Sequence, residues 1–122
     1  MRVFIAEDSP KVVERLRDLL EQAGELEVIG HAADAREAAK CVQSLRPDVV
    51  ILDLRMTNGN GIDVLKTIKI TRPETKVIIF SNFSDAQYRK RLLDTGADAF
   101  LDKSSDFNQI PGIVLKLVET RS

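Results

Sequence analysis

Apolar residues fall along this chain in two patterns, short unbroken runs and longer stretches spaced three and four apart. Val3-Phe4-Ile5-Ala6, Val49-Val50-Ile51-Leu52 and Val77-Ile78-Ile79-Phe80 are uninterrupted runs, as expected of strands buried on both faces of a parallel sheet. Helical spacing governs Val12, Val13, Leu16, Leu19, Leu20 and Ala23, then Ala38, Ala39, Val42 and Leu45, then Ile62, Leu65 and Ile68. Punctuation residues set the bounds. Ser9-Pro10 predicts a helix start, because Ser caps free N–H groups and Pro suits the first helical position, and Gly24 predicts its end. Leu26 to Gly30 reads as strand 2. Asp34 and Glu37 have capping-box spacing, opening a helix that Pro47 closes. Helix 3 ends before Arg72-Pro73, since the residue before Pro avoids helical torsions.

Lys76 to Phe80 forms strand 4, closing on Ser81. Ser84 with Gln87 predicts a capped helix 4 that runs to Gly96, and Ala99 to Leu101 a short strand 5 entering Asp102-Lys103. Phe107, Ile110, Val114, Leu117 and Val118 are helically spaced, yet Pro111 inside that run would cost about 3 kcal/mol in a helix interior. A tight turn over Asp106 to Ile110 and a helix from Pro111 to about Glu119 resolve the conflict. Five β/α units in strict alternation predict an α/β fold, a flavodoxin-like (βα)5 three-layer sandwich with parallel sheet order 2-1-3-4-5.

Composition narrows the function. With 122 residues, 43% hydrophobic and 30% charged, the expectation is one domain over residues 1–122. Lys plus Arg total 18 against 19 Asp plus Glu, so no basic field exists to hold a phosphate backbone, and direct nucleic-acid binding is disfavoured. One cysteine, Cys41, and one histidine, His31, make neither an internal disulfide nor a His/Cys metal site. Any metal must use oxygen ligands. No apolar segment approaches membrane-spanning length, and acids arrive by residue seven, so a cytoplasmic protein is expected. Cys41 reads as an inert inward thiol, His31 as structural, and Arg89-Lys90-Arg91 as a solvated face of helix 4.

The chemistry gathers at one sheet edge. Glu7 and Asp8 end strand 1, Asp53 ends strand 3, Ser81 ends strand 4 and Lys103 follows strand 5; carboxyl ends of parallel strands share one side. Two carboxylates about 5 Å apart repel by about 3 kcal/mol at an effective dielectric near 20, so three together require a cation. Hard oxygen donors favour Mg²⁺, completed by phosphate. Lys103 and the Ser81 hydroxyl would bind the same phosphate, and Asp53 at the centre could be its nucleophile, giving an aspartyl phosphate.

This ordered set resembles the receiver domain of two-component response regulators over essentially the full length. It is carried by Glu7-Asp8, Asp53 after Pro47-Asp48-Val49-Val50-Ile51-Leu52, Met56 and Gly61 in the following loop, Ser81, and Asp102-Lys103. The resemblance implies a phosphoacceptor switch rather than an enzyme acting on an external substrate. Asp53 would take a phosphoryl group from the phosphohistidine of a sensor kinase or phosphotransfer protein. Asp8, Asp53 and the backbone carbonyl of Arg55 would hold Mg²⁺, with Glu7 acting through a bound water. Lys103 would pair with the phosphate and Ser81 would move toward it, letting Phe100 turn inward. A downstream protein would read the helix 4, strand 5 and helix 5 face, with dimerisation on phosphorylation a further option.

Several positions depart from the family pattern. Thr57 stands where Pro is usual, which predicts a less rigid loop, and Phe100 where Tyr is frequent, which removes a phenolic hydroxyl. Asn82, bulkier than the usual Ala or Gly, and Phe83 would shield the phosphoryl group from water, predicting slow self-hydrolysis. The rival within the fold is a degenerate receiver, a binding module that is never phosphorylated; the intact acidic, serine and lysine positions argue against it. An Asp-nucleophile phosphatase is disfavoured because Glu7-Asp8-Ser9 lacks the Asp-x-Asp pattern, and a nucleotide or flavin carrier because no Gly-rich loop follows strand 1.

Overall fold

The computed structural model describes residues 1–82 and 86–119. Its elements, in chain order, are β1 Arg2–Ala6, α1 Pro10–Gln22, β2 Glu27–Ala32, α2 Ala35–Leu45, β3 Val49–Leu52, β4 Arg55–Met56, β5 Gly59–Asn60, α3 Gly61–Thr71, β6 Lys76–Ser81, α4 Ala86–Thr95, β7 Ala99–Asp102, a 3₁₀ turn Phe107–Gln109, and α5 Ile110–Glu119. Five strands pair in parallel in the order β2-β1-β3-β6-β7. Counting sheet strands alone, that is the flavodoxin-like order 2-1-3-4-5 that the alternating pattern predicts. The two-residue strands β4 and β5 pair antiparallel on their own, too short to show a period in the sequence.

Alternation along each strand sends neighbours to opposite faces. Val3, Ile5, Val49, Ile51, Ile78, Phe80 and Leu101 pack with Val13, Leu16 and Leu20 of α1 and with Phe107, Ile110 and Val114. The residues between them, Phe4, Ala6, Val50, Leu52, Val77, Ile79 and Phe100, pack with α2, α3 and α4. Both faces of β3 are therefore covered, which is why its run has no polar interruption. A one-residue slip of β3 would exchange its two sets of side chains, so the end of the strand, and Asp53 with it, is held in register.

The caps follow the sequence closely. Ser9 Oγ accepts from Val12 N–H at 3.4 Å, and Asp34 caps α2. Pro111 falls in the first turn of α5, where its missing N–H is harmless. The boundaries of β2 and α5 differ slightly: β2 continues through His31 to Ala32, and α5 begins at Ile110. Asn60, placed in the loop by its sequence, is the cap of α3, its Oδ1 accepting from Asp63 N–H at 3.0 Å. The predicted Ser84 cap and Phe83 lie outside the described residues. Cys41 is half-buried against the α2–α3 side of the core, and burial pushes its thiol pKa up. Arg89, Lys90 and Arg91 are exposed.

Candidate functional site

Four of the five sheet strands, β1, β3, β6 and β7, deliver side chains to the same sheet edge. Asp53 follows β3, its N–H donating to Ala6 O at 2.9 Å, and is 5% exposed. Glu7 follows β1, its N–H donating to Ala32 O at 2.9 Å, and is 3% exposed. Asp8 is exposed beside it. Lys103 follows β7, its N–H donating to Ser81 O at 3.1 Å. Ser81, the last residue of β6, is buried.

The ammonium of Lys103 is shared by two carboxylates. Its Nζ donates to Asp53 Oδ2 at 2.9 Å and lies 2.7 Å from Glu7 Oε2. The Glu7 contact is a short ion pair through Oε2, while Oε1 accepts from Ser9 N–H at 3.1 Å. The other Asp53 oxygen, Oδ1, accepts from Arg55 N–H at 3.2 Å. Burial is the main reason the Glu7 carboxyl is pushed up to about 7, reinforced by the Asp53 charge and opposed by Lys103. Burial alone would lower the Lys103 pKa, but Glu7 and Asp53 together hold it above its ordinary value.

Glu7, Asp8 and Asp53 each place one carboxylate oxygen within 4.8 Å of the others. Three acids against one ammonium leave an excess of negative charge at this edge. An all-oxygen donor set of this kind fits a hard divalent cation. The resemblance implies a Glu7 that acts through a bound water; here its carboxylate is turned to Lys103. Arg55 opens β4 beside Asp53.

Two further residues border the site. Phe100, whose ring the resemblance has turning inward on phosphorylation, lies inward in this structure, 6% exposed in the α2–α3–α4 core. A phenyl ring without a hydroxyl has nothing to draw it to water. Asp102 accepts the Ser104 hydroxyl at 2.6 Å and its N–H at 2.8 Å, which hold its carboxyl below the usual range. Its contribution is to shape the loop that delivers Lys103.

Two contacts have no counterpart in the sequence pattern, although Gly61 is itself one of the positions that carry the resemblance. Gly61 packs its α-carbon on the backbone of Asp53, where a Cβ would lie 2.5 Å from the Asp53 carbonyl oxygen. Asn58 donates to Asp34, tying the Asp53 loop to the start of α2. Both contacts join residues whose proximity no local pattern encodes. Among the described residues, no helix is long and apolar enough to cross a membrane.

Fold, acidic edge and lysine coincide in one family: the chain belongs to the response regulator receiver domains, whose family model matches residues 3–115. Receiver domains are signalling modules of two-component systems, and phosphorylation and Mg²⁺ are general features of the family. The transcriptional regulatory protein LnrK of Bacillus subtilis is 34% identical over 108 residues, 87% of this chain and 49% of that protein. The receiver domain of the putative response regulator NarL from Mycobacterium tuberculosis superposes with a TM-score of 0.91 at 29% identity, covering 98% of this chain and 97% of that one. A chain of the CheX–CheY–BeF3–Mg²⁺ complex from Borrelia burgdorferi gives a TM-score of 0.90 at 28% identity, covering 97% of this chain and 89% of that one. The chain spans about half the length of the curated relatives it matches.

Proposed function

We propose that residues 1–122 form one receiver domain that switches by phosphorylation of Asp53, the donor being the phosphohistidine of a sensor kinase or phosphotransfer protein. The observation that supports this most directly is the position of the Asp53 carboxylate. Arg55 N–H and Lys103 Nζ hold its two oxygens while Glu7 and Asp8 stand within reach. In the transfer, one Asp53 oxygen forms the new O–P bond as the N–P bond to the donor imidazole breaks, and the imidazole leaves with the bonding pair. Lys103 stabilises charge on the phosphoryl oxygens, and the buried Ser81 hydroxyl supplies a hydrogen bond to one of them.

Asp8, Asp53 and the Arg55 carbonyl would hold Mg²⁺, with Glu7 contributing through a water once released from Lys103. Bound there, the cation neutralises charge on the acids and the phosphoryl group. Hydrolysis returns Asp53 and inorganic phosphate, so the domain turns over no external substrate. Asn82, exposed at the end of β6, slows that hydrolysis by crowding the approach of water. Output passes through the face of α4, β7 and α5 to a downstream protein, with dimerisation of phosphorylated chains as one form, without direct contact to nucleic acid; the setting is the cytoplasm. LnrK, named a transcriptional regulator, supports an output in gene control.

The test is incubation with acetyl phosphate and Mg²⁺ followed by intact mass. A gain of one phosphoryl group is expected, absent in Asp53→Asn and in the presence of a chelator. No gain in the unaltered protein would overturn the reading in favour of a phosphorylation-independent binding module.

A further inference from the structure

The loop that leaves Asp53 is tied at its midpoint to a second loop, and the phosphoryl chemistry above makes no use of the tie. Thr57 N–H donates to Ala33 O at 3.2 Å and Ala35 N–H donates to Thr57 O at 2.9 Å, making an isolated parallel bridge between Thr57 and Asp34. Side chains repeat the connection. Asn58 Nδ2 donates to Asp34 Oδ2 at 2.5 Å, while Asp34 Oδ1 accepts from the N–H groups of Arg36 and Glu37 at 2.7 and 3.2 Å. One carboxylate thus spends one oxygen on the helix and the other on the loop. The Asn58 amide, first, and those N–H groups hold the Asp34 carboxyl below its ordinary range, so it remains an acceptor at neutral pH.

The turn is shaped for this contact. Asn58 has φ 56 and Gly59 φ 147, left-handed values that Asn and Gly adopt most easily. A Cβ on Gly59 would lie 2.8 Å from Ala35 Cβ, so the loop tip rests directly on the first turn of α2. Only Leu54, Arg55 and Met56 separate Asp53 from the pinned Thr57, and Arg55 is fixed further by pairing with Asn60. A proline at 57, usual in this family, has no N–H to give Ala33. Here a hydrogen-bonded bridge replaces the ring that would otherwise stiffen the loop.

We propose that Asp34 and Asn58 are positioning residues for the cation at Asp53, holding the loop so that Arg55 is in place before the cation arrives. The inference rests on the functional reading above, in which the Arg55 carbonyl is a ligand. A ligand that must be ordered on binding weakens affinity, and one already ordered does not. Partners outside the ligand shell commonly alter metal affinity by about ten- to a hundredfold.

The experiment is Mg²⁺ calorimetry on the folded chain, with urea unfolding in chelator measured in parallel. Asn58→Gly keeps the left-handed turn and removes the amide; its Mg²⁺ Kd is expected to rise about tenfold. Asn58→Asp sets two carboxylates against each other and is expected to weaken binding as well. Adding Asp34→Asn to it restores a donor–acceptor pair and should bring Kd back to within about twofold of the unaltered chain. A merely structural tie would lower urea stability and leave Kd alone, which overturns the proposal, as does failure of the exchanged pair to recover affinity. If the unaltered chain gains its phosphoryl group while the variants keep their Mg²⁺ affinity, this inference alone fails. If the unaltered chain binds no Mg²⁺ and gains no phosphoryl group, the functional reading falls and takes this inference with it.

Discussion

Gly61 rests on Asp53: a Cβ at that position would stand 2.5 Å from the Asp53 carbonyl oxygen and 2.7 Å from Leu54 Cα. The obstruction is backbone and cannot rotate aside, and Gly61 N–H also donates to Leu54 O at 2.8 Å. Gly61→Ala must therefore displace either α3 or the end of β3. A cost of about 2 kcal/mol is expected in urea unfolding, with slower phosphorylation by acetyl phosphate because Asp53 shifts with its backbone. An unchanged urea midpoint would show that the loop yields freely there.

Lys103 is the shared countercharge of Glu7 and Asp53, at 2.7 and 2.9 Å. Lys103→Met keeps much of the stem but leaves two buried carboxylates without their cation. At pH 8 in chelator the variant should lose about 3 kcal/mol of stability. Saturating Mg²⁺ should restore most of it, since a divalent cation replaces the ammonium. The variant should also bind Mg²⁺ more tightly than the unaltered chain, having no competitor for those oxygens, yet phosphorylate more slowly. Equal chelator stability for the two proteins would mean that the ion pairs contribute nothing net.

How much of this was legible follows from range in sequence. Ser9, Asp34 and Pro111 act on the turn they start, so their roles could be read from a few neighbours. The gathering of Glu7, Asp8, Asp53, Ser81 and Lys103 followed from topology, because every parallel strand ends on the same edge. Gly61 against Asp53, and Asn58 on Asp34, depend instead on how two loops meet, and neither hydrophobic period nor capping encodes that. Thr57 illustrates the limit: replacing a proline suggests a looser loop, but its N–H gains a bond to Ala33 O. Phe100 illustrates another, for a ring's inward or outward rotamer is chosen by the surrounding core and not by the strand that bears it.

Phe100 is 6% exposed and packs within the same core as Leu92, Ala97 and Ile79. Truncating a buried phenyl ring loses its transfer free energy and leaves a cavity, so Phe100→Ala should destabilise the unphosphorylated chain by about 3 kcal/mol. A ring resting on the surface would give less than about 0.5 kcal/mol. Urea unfolding distinguishes the two, and repeating it on phosphorylated protein reports whether the ring's environment changes with the switch.

Glu7 gives the site its pH dependence. Its carboxyl is pushed from 4.5 to about 7 in the folded chain, chiefly by burial. The folded state therefore binds this proton more tightly than the unfolded state. Stability from this group is fully present below 4.5, is lost as pH rises through about 7, and is level above that. The largest loss consistent with such a shift is about 3 kcal/mol. Lys103 is held above 10.5 and stays charged across this window, while Asp34 and Asp102, held below 3.8, titrate beneath it. Subtracting the urea stability of Glu7→Gln in chelator from that of the unaltered chain should thus give a difference that falls from pH 5 to pH 8. Mg²⁺ reverses the slope, because the cation favours the ionised form: affinity should climb through about pH 7, and binding at pH 6 should release close to one proton, read by calorimetry in buffers of different ionisation enthalpy. A stability difference that is level or rises with pH, or Mg²⁺ binding without proton release at pH 6, would show that the Glu7 carboxyl is not held above its ordinary range and that burial does not govern its protonation in the metal-free site.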